Sequence, residues 1–403
     1  MKTTLSDIQA RESRHVLQTY RRQPVAFVRG SGTRLYDVDG REYLDLVSGI
    51  GVASLGHAHP GLAAAIADQA STLLHTSNLY FHPFQAEAAE RLTALAGMPR
   101  AFFCNSGTEA VEACLKFARR YWYTLGAPRA EFVAVSNGFS GRTFGALSAT
   151  HDEHYRAPFE PLLGPTTFVD FDRPEMLAAA VTDRTAAIIA EPIQGEGGIR
   201  PMPAAFAQAI NDVTRHNGVL YIADEVQSGL GRTGHPFHFQ ALGLQPDLVS
   251  VGKALGAGVP VGAALVSEKV AQAISAGDHG STYGGNLLAT RAAAFFLEQL
   301  TDKGLLAQVR DTGAHFERRL RTLALQHPAI VEVRGAGLMW GLQLATDALP
   351  IVDGARQRGL LVNRTNEKVV RMLPPLNVAP ADLDRAIGIL DEVFASIAAE
   401  VHA

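Results

Sequence analysis

The chain has 403 residues, 47% hydrophobic and 19% charged, with a formal net charge of −4. That composition supports one large domain and a smaller one, and it offers neither a basic stripe for nucleic acid nor the run of roughly 18 apolar residues that a membrane span requires. Two cysteines, Cys104 and Cys114, stand in no CxxC pattern, and the first residues lack the apolar core of a signal peptide, so a cytoplasmic protein without a disulfide framework is expected.

In chain order, residues 5–20 carry apolar positions at mixed helical spacing and predict a short helix. Strand-like pieces follow at 25–28, 35–38 and 43–47, with Asp37-Val38-Asp39-Gly40 as a hairpin turn through its Asp-Gly pair. They read as a small antiparallel layer. Pro60 suits the first turn of a helix over 61–74, and an Ala-rich helix covers 84–96. His57 and His59 precede that proline in a turn. With no HExxH and no zinc spacing, they read as structural, and no metal is expected.

From residue 101 the pattern becomes strand and helix in alternation. Strands are predicted at 101–104, 131–135, 167–169, 186–190, 219–223 and 248–251, and a helix over 110–122. Such alternation argues for a parallel sheet with helices on both faces. After Gly285, helices at 286–300 and 305–325 precede short strands at 331–333, 338–344, 360–362 and 369–373 and a last helix over 382–399. The expected division is a large domain over 51–300, with 1–50 joining 301–403 in a smaller α+β domain.

Ligands in open α/β sheets sit beyond the carboxyl ends of the strands. Asp224 and Glu225 end one predicted strand, and Gly252-Lys253 end the next. A lysine among glycine and small apolar residues is partly desolvated, which favours its neutral amine. A neutral amine attacks carbonyls to form a Schiff base, and pyridoxal phosphate enzymes use such a lysine with an acid for the ring nitrogen. A different class competes for the same stretch. Gly229-Leu230-Gly231-Arg232-Thr233-Gly234 fits the dinucleotide fingerprint of a nicotinamide-dependent oxidoreductase, with Asp247 about 20 residues on. Against it, Asp224-Glu225-Val226-Gln227 separates strand from glycines, and His235-Pro236 is a poor start for the helix that fingerprint needs.

Four other loops carry chemistry. Asn105-Ser106-Gly107-Thr108-Glu109 follows a strand and opens a helix. It suits a bound anion, with glycine allowing close approach, and equally an ordinary N-cap. Gly138-Phe139-Ser140-Gly141-Arg142-Thr143 offers a ring to stack on and a guanidinium fork for a carboxylate. Glu191, opening Glu191-Pro192-Ile193-Gln194-Gly195-Glu196-Gly197-Gly198, would pair with a cation or do acid/base work. Arg371 lies in an apolar strand and must be paired if buried, with Glu191 the expected partner. His279-Gly280-Ser281-Thr282-Tyr283-Gly284-Gly285-Asn286 is a hydroxyl- and glycine-rich turn before a helix, again suited to phosphate.

With these motifs in this order and spacing, nearly the whole chain resembles a class III pyridoxal phosphate-dependent aminotransferase, most closely the acetylornithine aminotransferase subgroup. The resemblance implies a fold-type I architecture, with a large mostly parallel-sheet domain and a smaller α+β domain. It implies Lys253 as Schiff-base lysine and proton shuttle, Asp224 as partner of the ring nitrogen, and Gln227 on the ring's phenolic oxygen. Val226 and Phe139 would cover the two ring faces, and Ser106, Gly107 and Thr108 would bind the phosphate. Thr282 would reach the phosphate of a neighbouring subunit, implying a homodimer with shared active sites. Ser281 would lie near the substrate, Arg142 would take a substrate carboxylate, and Arg371 would take that of glutamate with Glu191 as its removable partner. The implied reaction exchanges the δ-amine of N-acetylornithine with 2-oxoglutarate in arginine biosynthesis. Two positions qualify this. Ser140 stands where many relatives have histidine, a variant shared with enzymes of lysine biosynthesis whose substrate rides on an acidic carrier protein. Ile50 stands where ornithine aminotransferases have a tyrosine, which favours an N-acylated substrate.

Overall fold

The apolar runs of the middle of the chain become one seven-stranded sheet in the computed structural model, which describes residues 3–402. Its order is Arg100–Cys104, Gly262–Val266, Leu248–Val251, Leu220–Asp224, Thr185–Ala190, Glu131–Val135 and Thr166–Val169. All pairings are parallel except the two made by Gly262–Val266, which runs antiparallel to both neighbours. That strand is absent from the sequence reading. Its Gly-Ala-Ala-Leu-Val run is short and opens on three residues of low strand preference.

Successive residues of the central strands feed two separate cores. Tyr221, Ala223, Val249 and Val251 join one apolar cluster, whereas Leu220, Ile222 and Leu248 join the other. Both faces are therefore covered, which is why these strands read as continuous apolar runs. The helix Gly107–Thr124 covers one face with eight buried residues, and Leu287–Thr301 packs with Pro83–Ala96 and Pro60–Thr72 on the larger cluster.

The remaining strands build the two-stranded pair of Ile193–Gln194 with Arg200–Pro201 and two four-stranded sheets. Ile330–Ala336, Met339–Leu344, Val369–Met372 and Asn363–Thr365 form one, antiparallel throughout. Phe27–Ser31, Arg34–Asp37 and Glu42–Asp45 form the other, with the Asp-Gly turn held by Asp37, whose Oδ1 accepts Asp39 N and Arg41 N at 3.0 and 2.9 Å. The N-terminal layer is not purely antiparallel as expected. Leu360–Leu361 adds to it in parallel, opposite Leu44 and Asp45. A parallel neighbour must come from far along the chain, so local turn signals could not announce it. The helix Leu349–Gln357 was also not anticipated, and the first helix ends at His15 rather than near residue 20.

Candidate active site

Five of the parallel strands end at one rim, and their following loops enclose a cavity of about 240 Å³. Gly107, Thr108, Phe139, Arg142, Glu191, Asp224, Val226, Gln227 and Lys253 from the sequence reading all line it, together with Ser140 and Gly141. Sheet register explains the central pair. Asp224 is opposite Ser250 on the adjacent strand, so Lys253 emerges from that neighbour just beyond the carboxylate. Lys253 itself has a φ of +39°, a left-handed backbone that costs energy for any residue but glycine and signals a constrained position.

Asp224 lies at the base of the cavity, 3% exposed. Its Oδ1 accepts Ser250 Oγ at 3.0 Å and Val226 N at 3.2 Å. Burial pushes its carboxyl up to about 6, against the lowering effect of these hydrogen bonds and of Lys253. Burial likewise lowers Lys253 toward the neutral amine, while Glu196, Asp224 and Glu191 oppose that shift. The lysine is thus desolvated with acids close by, the balance that a nucleophilic amine needs.

The partner of Arg371 is Glu196, not the Glu191 expected from the sequence. Glu191 does not meet Arg371. Its two oxygens accept Phe139 N at 2.9 Å and Gly195 N at 3.0 Å, which ties two rim loops together. Burial, with the nearby Asp224 charge, pushes it up to about 8. Arg371, 1% exposed, instead donates from Nη1 to Glu196 Oε1 at 2.5 Å and to Gln227 Oε1 at 3.3 Å, and from Nε to Asn363 Oδ1 at 3.2 Å. The short pairing of Ile193–Gln194 with Arg200–Pro201 folds the glycine-rich loop back, which is how the acid five residues on reaches the guanidinium. Partial burial pushes Glu196 up, but the Arg371 charge and hydrogen bond outweigh it and hold the carboxyl below its ordinary value.

The helix start at Gly107 is both cap and cradle. Ser106 Oγ accepts Glu109 N at 3.2 Å, and Glu109 Oε2 accepts Asn105 N at 2.5 Å. A Cβ at Gly107 would sit 2.5 Å from Val226 Cγ1, and one at Gly252 only 3.0 Å from Gly107 Cα. Three loops therefore close on each other at a distance only glycine permits. Ser106, Ser281, Thr282 and Arg371 do not line the cavity. Ser281 Oγ accepts Asn105 Nδ2 at 3.3 Å, so its loop touches the phosphate-type turn, while Thr282 faces outward. Ser250 went unnoticed in the sequence because nothing but strand register links it to Asp224. The glycines at 229–234 hold no dinucleotide: no helix starts among them, and Arg232 and Thr233 are buried against the 337–338 turn.

Comparison with known proteins agrees with this geometry. The class-III aminotransferase family profile matches residues 16–394. An acetylornithine aminotransferase of Archaeoglobus fulgidus is 45% identical over 380 residues, covering 94% of this chain and 98% of its own. The crystal structure of an ornithine aminotransferase from Toxoplasma gondii superposes with a TM-score of 0.94 at 32% identity, covering 99% of this chain and 96% of that one. An amine transaminase from an uncultivated Pseudomonas species, solved with pyridoxal phosphate bound, gives a TM-score of 0.88 at 30% identity, with 94% and 97% covered. The cavity fits that cofactor: a buried amine, a buried carboxylate, an aromatic ring, a valine and a glycine-lined helix start surround one space.

Proposed function

We propose, starting from the fact that this chain belongs to the class III aminotransferases, that it moves the δ-amine of N-acetylornithine to 2-oxoglutarate in arginine biosynthesis, with pyridoxal phosphate as cofactor. The observation that carries the chemistry is the convergence of Lys253 and Asp224, from adjacent strand ends, on one buried cavity. The names of the relatives and Ile50 support the substrate. Ile50 offers no hydroxyl to a free α-amine and is held out from a left-handed turn, 41% exposed with φ +63°.

When bound, pyridoxal phosphate supplies a carbonyl for the amine and a ring that draws electrons from the adjacent carbon. Lys253 would hold the cofactor and then carry the proton between the two carbons that exchange it. Asp224, with Ser250 and Val226 N keeping its carboxylate in place, would hold the ring nitrogen's proton. Gln227 would face the phenolic oxygen. Phe139 and Val226 would clamp the ring, and Ser106, Gly107 and Thr108 would take the phosphate at the helix N-terminus. Arg142 would bind the carboxylate of the acylated donor.

Arg371 serves the other half-reaction. With Glu196 in place its charge is matched and the site accepts a terminal amine. Glu196 sits on a loop with its side chain 38% exposed, so it can leave. Arg371 then has a free fork for the α-carboxylate of glutamate or 2-oxoglutarate. Glu196 thereby takes the part first expected of Glu191, and Glu191 holds Phe139 in position.

The proposal includes a cytoplasmic homodimer, where Cys104 and Cys114 stay reduced. The loop bearing Thr282 lies beside the exposed side chains Leu79, Tyr80, Phe81 and Tyr283, with Asn78 Nδ2 donating to Gly284 O at 2.8 Å. Contiguous exposed apolar side chains of this kind mark an interaction surface, and a second copy would cover them and bring Thr282 to its partner's phosphate.

The test is a half-reaction without acceptor. Cofactor-loaded protein is mixed separately with N-acetylornithine, ornithine and N-acetyl-lysine, and the visible absorbance is followed. Rapid conversion by N-acetylornithine is expected. Indifference to it, with conversion by a lysine-type donor, would move the protein to the lysine pathway that Ser140 brings to mind.

A further inference from the structure

Arg142 is the one cavity-lining arginine, and nothing it pairs with electrostatically explains its pose. Among the described residues it makes no ion pair, and its recorded hydrogen bond is from the backbone N, to Thr108 Oγ1 at 3.2 Å. Its guanidinium lies instead flat against one ring, its central carbon 3.5 Å from the centroid of Tyr155, with Phe139 further off at 5.6 Å. A long exposed side chain ordinarily samples many rotamers, and stacking on a ring removes that freedom while leaving the edge donors of the fork unoccupied.

Tyr155 is itself anchored. It sits in the single-turn helix Glu153–Arg156, begun by Asp152, whose Oδ1 accepts His154 N at 2.9 Å. On one side Arg156 covers the Phe168 ring at 4.9 Å, and His151 meets the same ring edge-on at 5.1 Å. On the other, His151 N donates to Gly138 O at 3.0 Å, in the loop that carries Phe139 and Arg142. Phe168 belongs to the edge strand Thr166–Val169 of the large sheet. A chain of contacts thus runs from the sheet through Tyr155 to the guanidinium.

We propose that Tyr155 is a positioning residue for substrate recognition: it holds the Arg142 fork toward the cavity mouth, ready for the carboxylate of the amine donor. The proposal rests on the reading of Arg142 as the donor-carboxylate arginine. It assigns the effect to the ring face, so the Tyr155 hydroxyl is dispensable.

The measurements are KM and kcat for N-acetylornithine and for N-acetyl-1,4-diaminobutane, which keeps the amide and amine but lacks the carboxylate. Calorimetric binding of N-acetylnorvaline, which keeps the carboxylate but has no reactive amine, adds a readout independent of turnover. Tyr155→Leu should raise KM for N-acetylornithine and Kd for N-acetylnorvaline about five-fold, the scale of an exposed cation–π contact. Turnover at saturation and kcat/KM for N-acetyl-1,4-diaminobutane should stay as in the parent, and Tyr155→Phe should behave as the parent throughout. The proposal is overturned if Tyr155→Leu weakens both donors equally, or neither while Arg142→Gln weakens N-acetylornithine alone. If Arg142→Gln also leaves N-acetylornithine untouched, the carboxylate reading of Arg142 falls and this inference with it.

Discussion

Arg371 and Arg232 are equally buried, each 1% exposed, but they are held in opposite ways. Arg371 faces a carboxylate whose side chain is 38% exposed. Among the described residues Arg232 has no acid beside it: its Nη1 donates to the carbonyls of Leu338 and Pro374, at 3.1 and 2.5 Å, and its Nη2 has no partner. Burial alone lowers its pKa, to about 9. Both carbonyls belong to the C-terminal part of the chain, so Arg232 joins the loop after the Asp224 strand to that part. A buried charge is therefore not by itself a mark of function. What separates the two is whether the partner is backbone, as for Arg232, or an exposed side chain, as for Arg371, which under the proposed function gives way to substrate.

The comparison is sharpest at its functional extreme. Lys253 is a desolvated charge facing the cavity, so Lys253→Ala should lower turnover by at least about 10⁴-fold, the upper range for a lost acid–base group. Its unfolding free energy, measured by urea denaturation, should not fall, because the desolvation cost of the buried amine is removed with it. Retained turnover would sink the assignment.

The two arginines should then split cleanly. Arg232→Met leaves two carbonyls unsatisfied and should cost roughly 2–6 kcal/mol of stability in the same denaturation experiment, with KM for both substrates near that of the parent in the surviving folded fraction. Arg371→Gln should do the reverse. Its charged partner, Glu196, is partly exposed and can turn to water, and the hydrogen bonds lost by Gln227 and Asn363 are to neutral side chains. Stability should therefore hold while KM for 2-oxoglutarate rises about 100-fold, some 2.7 kcal/mol of lost charged contact. If both variants lose stability alike, the distinction drawn here fails.

The smallest effect concerns pH. Burial pushes Glu225 up to about 7. A carboxyl whose folded value exceeds its unfolded one favours the folded state at low pH and loses that advantage as pH rises from the unfolded value, near 4.5, through about 7. The cofactor-free protein should be about 1 kcal/mol less stable at pH 8 than at pH 6 from this group. Glu225→Gln should flatten that slope, and an unaltered slope would count against the assignment.

What the sequence disclosed follows from which signals are local. Asp224 with Lys253, the Gly107 turn and the Phe139–Arg142 loop are contiguous motifs at predicted strand ends, and all reach the cavity. Glu196 was passed over because two acids five apart in one glycine-rich loop look alike until the fold of the loop picks one for Arg371. Ser250 and Tyr155 escaped because their partners are brought to them by sheet register and by a distant single-turn helix. Gly262–Val266 escaped because a five-residue run that opens on Gly-Ala-Ala carries too little pattern to stand out.

The parallel strand Leu360–Leu361 beside Leu44 and Asp45 also sets a timetable. A ribosome adds roughly 5–20 residues per second, so the segment ending at Asp45 waits on the order of 15–60 s before its neighbour has been synthesised. Through that interval one border of the N-terminal layer has hydrogen-bonding groups with no protein to meet them. The first tenth of the chain is thus among the last parts to be completed, and the nascent protein depends on whatever shields that border in the meantime.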